Sequence, residues 1–326
     1  MSKLVTIYGG SGFVGRYIAQ KMAREGWRVR VAVRRPNEAL FVKPYGVVGQ
    51  VEPVFCNIRD DDSVRAVMQS ADAVVNCVGI LVPEGANRFD DVQAVGAGRI
   101  ARIAAEEGVK QLVHLSAIGA DSNSASVYSR TKALGEGAVL EHFPRAVILR
   151  PSIVFGPEDG FFNRFAGMAQ VSPVLPVVGG ATKFQPVWVE DVAEAAVRGV
   201  LGQAEAGVYE LGGPEVKTFR ELMTLMLGLI RRRRLTLNIP FPIARLQGSL
   251  LDLGSRLTRG VLTNRLLTRD QVENLVRDNV ASPPVRGFAE LGIEPTPMAT
   301  VLPEYLWRYR PSGQYSAIQD SARNLR

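Results

Sequence analysis

Glycines 9, 12 and 15 stand three apart in Gly9-Gly10-Ser11-Gly12-Phe13-Val14-Gly15, between a β-rich run at Leu4–Tyr8 and a helical pattern over Gly12–Glu25. In that strand–turn–helix setting the spacing suits the diphosphate of a dinucleotide. Gly9 permits the tight turn, Gly12 lets the backbone approach phosphate oxygens, and Gly15 lets the helix pack on the strand. The first N–H groups of the helix and its dipole then face the anion. Ser11, Phe13 and Val14 belong to the same loop and are expected to touch the ligand.

The second β-rich run ends Ala32-Val33-Arg34-Arg35. A carboxylate there would take a ribose 2′-hydroxyl, whereas two guanidiniums suit a 2′-phosphate, so the expected ligand is NADP(H), taken as NADPH. Asn57 and Ile58 follow the third run and are expected to line the adenine. Val78 and Gly79 follow the fourth and abut the cofactor. Ser116 ends the fifth run, and Pro151 and Ile153 follow the sixth, completing the candidate contacts. Tyr128 and Lys132 lie four apart on one helical face, where an ammonium near a phenol favours the phenolate and can bond the nicotinamide ribose.

The elements that must position these residues alternate. Strands read at Leu4–Tyr8, Val29–Val33, Val51–Phe55, Ala73–Val78, Gln111–Ser116 and Ala146–Leu149. Helices read between them at Ser63–Ser70, Arg88–Glu107 and Ser126–Glu141. Apolar strands alternating with helices imply an α/β, Rossmann-type, doubly wound parallel sheet. From Arg150-Pro151 onward Pro and Gly dominate, so 151–182 reads as a loop-rich insertion with one short helix near Phe161–Met168. A strand at Lys183–Val189 runs into a helix from Glu190, and Thr218-Phe219-Arg220-Glu221 is a capping box. The chain divides into a nucleotide-binding domain over 1–220, a smaller, mainly helical C-terminal region over 221–310, and a polar tail over 311–326.

Composition excludes several classes. With 46% hydrophobic and 22% charged residues the chain is an ordinary globular one. Cys56 and Cys77 read as reduced core thiols. With only two histidines, His114 and His142, no metal cluster forms. No signal-type segment precedes the first strand, and no apolar run is long enough to cross a bilayer. Residues 1–230 balance 24 basic against 24 acidic side chains, while 231–326 carry 15 against 8, the whole net charge of +7. That basic part suits an acidic protein partner or an anionic lipid surface. Without a reading helix, finger or stacking motif it does not suit nucleic acid. Ile243, Leu246, Leu250, Leu253, Leu257 and Val261 make one apolar stripe, accompanied by Arg245, Arg256 and Arg259, downstream of Arg231–Arg234.

These motifs together resemble the extended and atypical short-chain dehydrogenase/reductases over residues 1–220. The resemblance implies a carbonyl-polarising hydroxyl two residues after Ser116, where Ile118 stands, and a helix asparagine where Gln93 stands. Ser122, Ser124 and Ser126 are the nearby hydroxyls. The cofactor positions persist while two catalytic ones depart, so the site is expected to hold the nucleotide rather than turn over, with Tyr128 and Lys132 vestigial. The runs Leu149–Asp159, Phe161–Phe165, Gln185–Ala193, Leu266–Val272, Leu291–Thr296 and Leu302–Leu306 are similar to the short-chain-dehydrogenase-like accessory subunits of respiratory complex I (NADH:ubiquinone oxidoreductase), in a bacterial form. That likeness implies a bound NADPH and a structural or assembly role among the subunits of the hydrophilic arm and membrane junction. It places the chain peripherally on the cytoplasmic face of the bacterial inner membrane, or on the matrix side in a eukaryote. An NADP-dependent reductase or epimerase, and an NADP(H)-sensing regulator, are the alternatives.

Overall fold

The computed structural model describes residues 2–257 and 268–315, except Glu84, Ala86 and Ser312. Seven parallel strands make the central sheet. Six are β1 (Leu4–Tyr8), β2 (Arg28–Val33), β3 (Val51–Phe55), β4 (Ala73–Asn76), β5 (Gln111–Leu115) and β6 (Val147–Pro151), and the seventh is Gly207–Leu211. Their spatial order is Gly207–Leu211, β6, β5, β4, β1, β2, β3. The chain winds outward from β1 in one direction, returns, and winds out in the other. The reversal between β1 and β4 opens a crevice at their C-terminal ends, where ligands bind in such sheets.

Alternation along β1 divides the flanking layers. Val5 and Ile7 face one core with Ile18, Ala19 and Met22 of α1 (Phe13–Arg24). Tyr8 faces the opposite core with Val64 and Met68 of α2 (Asp61–Met68) and Ile100 of α3 (Gly96–Glu106). The two buried polar side chains of β1 on that second face are satisfied: Thr6 Oγ1 donates to the Val67 carbonyl at 2.8 Å and Tyr8 Oη to that of Val64 at 2.9 Å. α4 (Val127–His142) completes this layer beside α3. The helix expected over 88–107 is not uniform. Asp90–Val95 forms a π turn before α3 begins, and it carries the Gln93 carbonyl so close to α4 that a Cβ on Gly135 would lie 2.1 Å from it.

Apart from the sheet with its two packed faces, a second hydrophobic core gathers Phe155, Phe162, Leu175, Val177, Phe184, Phe219, Met226, Leu302 and Tyr305. It is built from α5 (Phe162–Val171), the strand Val174–Val178, α7 (Phe219–Leu229) and α10 (Met298–Leu306), while α6 (Val189–Val200) packs on α1 in the first core. The two cores therefore do not divide at residue 220. The second draws on both sides of that point, and Phe288 and Leu291 return to the first.

Other expectations are corrected. The loop-rich insertion holds the strand Val174–Val178, which pairs in parallel with Leu235–Ile239 inside the region expected to be mainly helical. The single strand over Lys183–Val189 is two short ones, Lys183–Phe184 and Val187–Trp188, interrupted at Pro186, which has no N–H to donate. The capping box at Thr218 forms. In α8 (Phe241–Leu257) the residues turned inward are Ala244 and Gly248, and Ile243 and Leu246 are exposed. The side chains of Leu250, Leu253, Leu257 and Arg256, with Val261 and Arg259, lie outside the described residues. Arg232 and Arg234 are half-buried, and each donates through Nε to a carbonyl, of Tyr309 and of Ala169.

Candidate nucleotide site

The glycine loop folds as its residue types require. Gly9 has φ +74°, which an L side chain rarely adopts, and its carbonyl accepts the Gly12 N–H at 2.9 Å. Gly12 is extended and exposed to solvent. Gly15 is buried, and a Cβ there would lie 2.4 Å from the Gly9 carbonyl oxygen. The N–H groups of Phe13, Val14 and Gly15 open α1 without intrahelical partners. No side chain caps them, and no acidic residue stands in the first turn. The result is a cradle of backbone donors for an anion, with Ser11 half-buried at its edge.

Neighbouring loops close round it. A Cβ on Gly9 would meet the Cys77 carbonyl and the Val78 nitrogen at 3.2–3.3 Å, so the turns after β1 and β4 touch. The Val78 N–H donates to Asn76 Oδ1 at 3.0 Å. A Cβ on Gly79 would lie 3.3 Å from Lys132 Nζ, which brings α4 to the same crevice. Arg34 and Arg35 are both exposed after β2, but they differ. Arg35 is engaged with Glu38 at 3.1 Å, whereas Arg34 has no ion-pair partner among the described residues. Asn57 uses its Oδ1 to accept the Arg59 N–H, and Ile58 lies against Gly96 at the start of α3.

Sequence reasoning missed Arg16, one residue past Gly15. Its guanidinium donates to the carbonyls of Ser11 and Gly12 at 3.2–3.3 Å and pairs with Glu158. It fastens the glycine loop to the loop after β6. Only its adjacency to the last glycine marked it in the sequence.

The reacting end is built differently. Lys132 is buried and donates to the Leu115 carbonyl at 3.0 Å, and burial brings its ammonium down to about 8. Tyr128 packs edge-on against Phe89. Its phenol is pushed up to about 12, by burial and secondarily by the Asp270 charge. Burial thus opposes the phenolate that Lys132 is expected to favour, and the phenol is protonated at neutral pH. Burial likewise raises the thiols of Cys56 and Cys77, to about 11 and about 12, so neither is activated. Ile118, where the resemblance implies a carbonyl-polarising hydroxyl, is buried and aliphatic. Ser126 does not replace it, since its Oγ accepts the Ser129 N–H and donates to Asp270. Ser124 accepts the Ser126 N–H.

Three buried side-chain atoms have no hydrogen-bond partner among the described residues: Gln93 Oε1, His114 Nε2 and Ser116 Oγ. His114 is on β5, Ser116 just past its end, and Gln93 is tied to the turn after β4 through its Nε2 bond to the Ile80 carbonyl. Unsatisfied polar atoms of this kind mark a place that a ligand or water completes. Burial lowers the His114 imidazolium to about 3, so the ring is neutral. The Val78 N–H occupies Asn76 Oδ1, so Asn76 Nδ2 is the end that donates to His114 Nδ1 at 3.1 Å, which leaves the ring proton on Nε2.

The segment from α9 (Arg269–Asn274) to Asn279 lies across this end. Asp270 receives the N–H groups of Val127 and Tyr128, Ser129 donates to Asn274, and Arg277 pairs with Asp121. Asn279 bonds the Ile118 carbonyl, the Ser152 hydroxyl and the Ile153 N–H. Ile153 is therefore satisfied within the protein and packs into the second core, while Pro151 is a buried strand residue on β6.

The family described as NAD dependent epimerase/dehydratase matches residues 5–212. The chain belongs to that family. It is 34% identical over 316 residues to "NADH dehydrogenase [ubiquinone] 1 alpha subcomplex subunit 9, mitochondrial" of Arabidopsis thaliana, covering 95% of this chain and 79% of the relative. It is 31% identical to the "NADH-ubiquinone oxidoreductase 40 kDa subunit, mitochondrial" of Neurospora crassa, covering 95% and 80%. By name both are subunits of a mitochondrial NADH:ubiquinone oxidoreductase. Among solved structures, the NADPH complex of an NADPH-dependent quinone oxidoreductase from Escherichia coli superposes with a TM-score of 0.70 at 17% identity, covering 93% of this chain and 98% of that one. At that identity the likeness concerns the fold.

Proposed function

We propose that this chain is an accessory subunit of a membrane-bound NADH:quinone oxidoreductase that holds NADPH as a structural ligand and does not itself turn over. The observation that carries the reading is the contrast within one crevice. The phosphate end presents uncapped N–H groups, an exposed Gly12 and Arg34, unpaired among the described residues. The reacting end has Ile118 in place of a hydroxyl, a protonated Tyr128, and α9 bonded to the neighbouring backbone.

The residues present fit the nucleotide. The cradle over Gly9–Gly15 takes the diphosphate, and Arg34 takes the 2′-phosphate, with Arg35 able to join on leaving Glu38. Asn57 and Ile58 flank the adenine side, and Val78, Gly79 and Ser116 line the crevice towards Tyr128 and Lys132. When bound, NADPH supplies hydride chemistry. The chain's own residues orient and retain it.

The relatives' names support assembly with the other subunits of such a complex. In this reading the basic C-terminal region docks the chain on the hydrophilic-arm side of the membrane junction. A position on the cytoplasmic face of a bacterial inner membrane follows from this reading. No helix among the described residues is long and apolar enough to cross a membrane. The test is size-exclusion of detergent-solubilised membranes: the chain is expected to co-elute with NADH:quinone activity, and elution apart from it would refute the reading. A reductase reading draws on the unpartnered Ser116 hydroxyl. It requires a substrate-dependent absorbance change at 340 nm that Tyr128→Phe abolishes.

A further inference from the structure

Asp270 is remote in sequence from α4, yet its carboxylate accepts the N–H groups of Val127 at 2.6 Å and Tyr128 at 3.2 Å and the Ser126 hydroxyl at 3.0 Å. Among the described residues it receives three of the four hydrogen bonds between α9 and the start of α4, the fourth joining Ser129 to Asn274. A carboxylate at that place satisfies N–H groups the helix cannot and opposes its dipole, so it fixes where the helix begins. Tyr128 and Lys132 lie in the first two turns of that helix.

α9 is in turn fastened to α8. Glu273 holds Arg245 by two hydrogen bonds of 3.0 Å, and Val272 is buried with Ala244. Gly248 comes so near the backbone that a Cβ there would lie 2.9 Å from the Arg269 nitrogen. α4, α9 and the first three turns of α8 thus make one bonded unit. Its far end exposes Ile243 and Leu246.

We infer that Asp270 is a positioning residue through which nucleotide occupancy and the placement of α8 are linked. Nucleotide on Tyr128 and Lys132 steadies the start of α4, α4 steadies α9 through Asp270, and α9 steadies α8 through Glu273 and Gly248. The linkage is reciprocal, so whatever secures α8 tightens the nucleotide. This rests on the nucleotide-binding reading above and adds to it a route from the ligand to the C-terminal region.

The test is hydrogen–deuterium exchange on the full-length chain with and without NADPH, for wild type, Asp270→Ala, Asp270→Asn and Arg245→Met. In wild type, NADPH is expected to slow exchange in the glycine loop, at the start of α4 and in α8 over residues 241–251. In Asp270→Ala the glycine-loop effect remains and the α8 effect disappears, with NADPH affinity lowered about fivefold, the low end of such couplings. Asp270→Asn, which keeps an acceptor without the charge, restores part of both. Arg245→Met keeps protection at α4 and α9 and loses it at α8. If the glycine loop is protected while wild-type α8 is unchanged, or α8 protection survives in Asp270→Ala, the linkage is wrong. Absence of glycine-loop protection overturns the nucleotide reading first and the linkage with it. Should Asp270→Ala not fold, unchanged α8 protection in Arg245→Met is the refuting result.

Discussion

The two ends of one crevice obey different physical rules. At the phosphate end the protein leaves groups open to water: uncapped N–H groups on α1 and Arg34, which has no ion-pair partner among the described residues. At the reacting end it satisfies the backbone N–H groups internally, and the buried Gln93 Oε1, His114 Nε2 and Ser116 Oγ are the side-chain atoms left without a partner among the described residues. Asp270 takes the N–H groups of α4, Asn279 that of Ile153, and the Leu115 carbonyl the Lys132 ammonium. Donors left open to solvent bind a ligand at small desolvation cost, whereas donors already used must be prised loose first. A crevice with one end open and the other occupied by its own chain is suited to holding a ligand.

Substitutions at either end sharpen that contrast. Gly15→Val places side-chain carbons where the Gly9 carbonyl already is. It should cost about 3 kcal/mol by overpacking and weaken NADPH about 100-fold, read by isothermal titration. Arg34→Ala removes a charge-assisted pair with the 2′-phosphate and should weaken NADPH about 10- to 100-fold while leaving NADH unchanged. Equal loss for both nucleotides would remove Arg34 from 2′-phosphate recognition. Arg35→Ala should do less, because Arg35 already has Glu38.

The interior near the reacting end has a pH signature. The folded His114 titrates at about 3, below its unfolded value, so the unfolded chain binds the extra proton between about pH 6.5 and 3. Stability from this residue is therefore full above about pH 6.5 and falls as pH drops, by about 1.4 kcal/mol at pH 5.5. Urea unfolding at pH 7.5 and 5.5 should show His114→Gln losing less stability across that interval than wild type. The smallest effect is expected for Tyr128→Phe, whose phenol is protonated and has no described hydrogen-bond partner: NADPH affinity should fall by less than about threefold, less than one ordinary hydrogen bond.

The sequence shows the phosphate end far better than the reacting end, for a physical reason. Glycine spacing, the terminal arginines of β2 and the apolar strand runs are local, and local constraints leave local marks. The seventh strand, Gly207–Leu211, was not legible because Glu210 interrupts its apolar run. That charge is buried with Arg150 and the Ser282 N–H, partners far away in the chain. The strands Val174–Val178 and Leu235–Ile239 were hidden by Pro173 and Pro176 and by the preceding arginines, and each exists through the other. Asp270 is harder still. Thr268 with Gln271 forms a capping box that signals the start of α9, but nothing near Asp270 signals that it serves α4.

The central claim, that the crevice retains NADPH without using it, is tested most directly on the isolated full-length chain. It should be purified without added nucleotide, extracted with mild acid or base, and the released nucleotide identified by mass. One equivalent of NADP(H) per chain, undiminished after incubation with carbonyl and quinone substrates, is the predicted result. Release of no nucleotide, of NAD(H) instead, or substrate-dependent oxidation of the bound NADPH would contradict it.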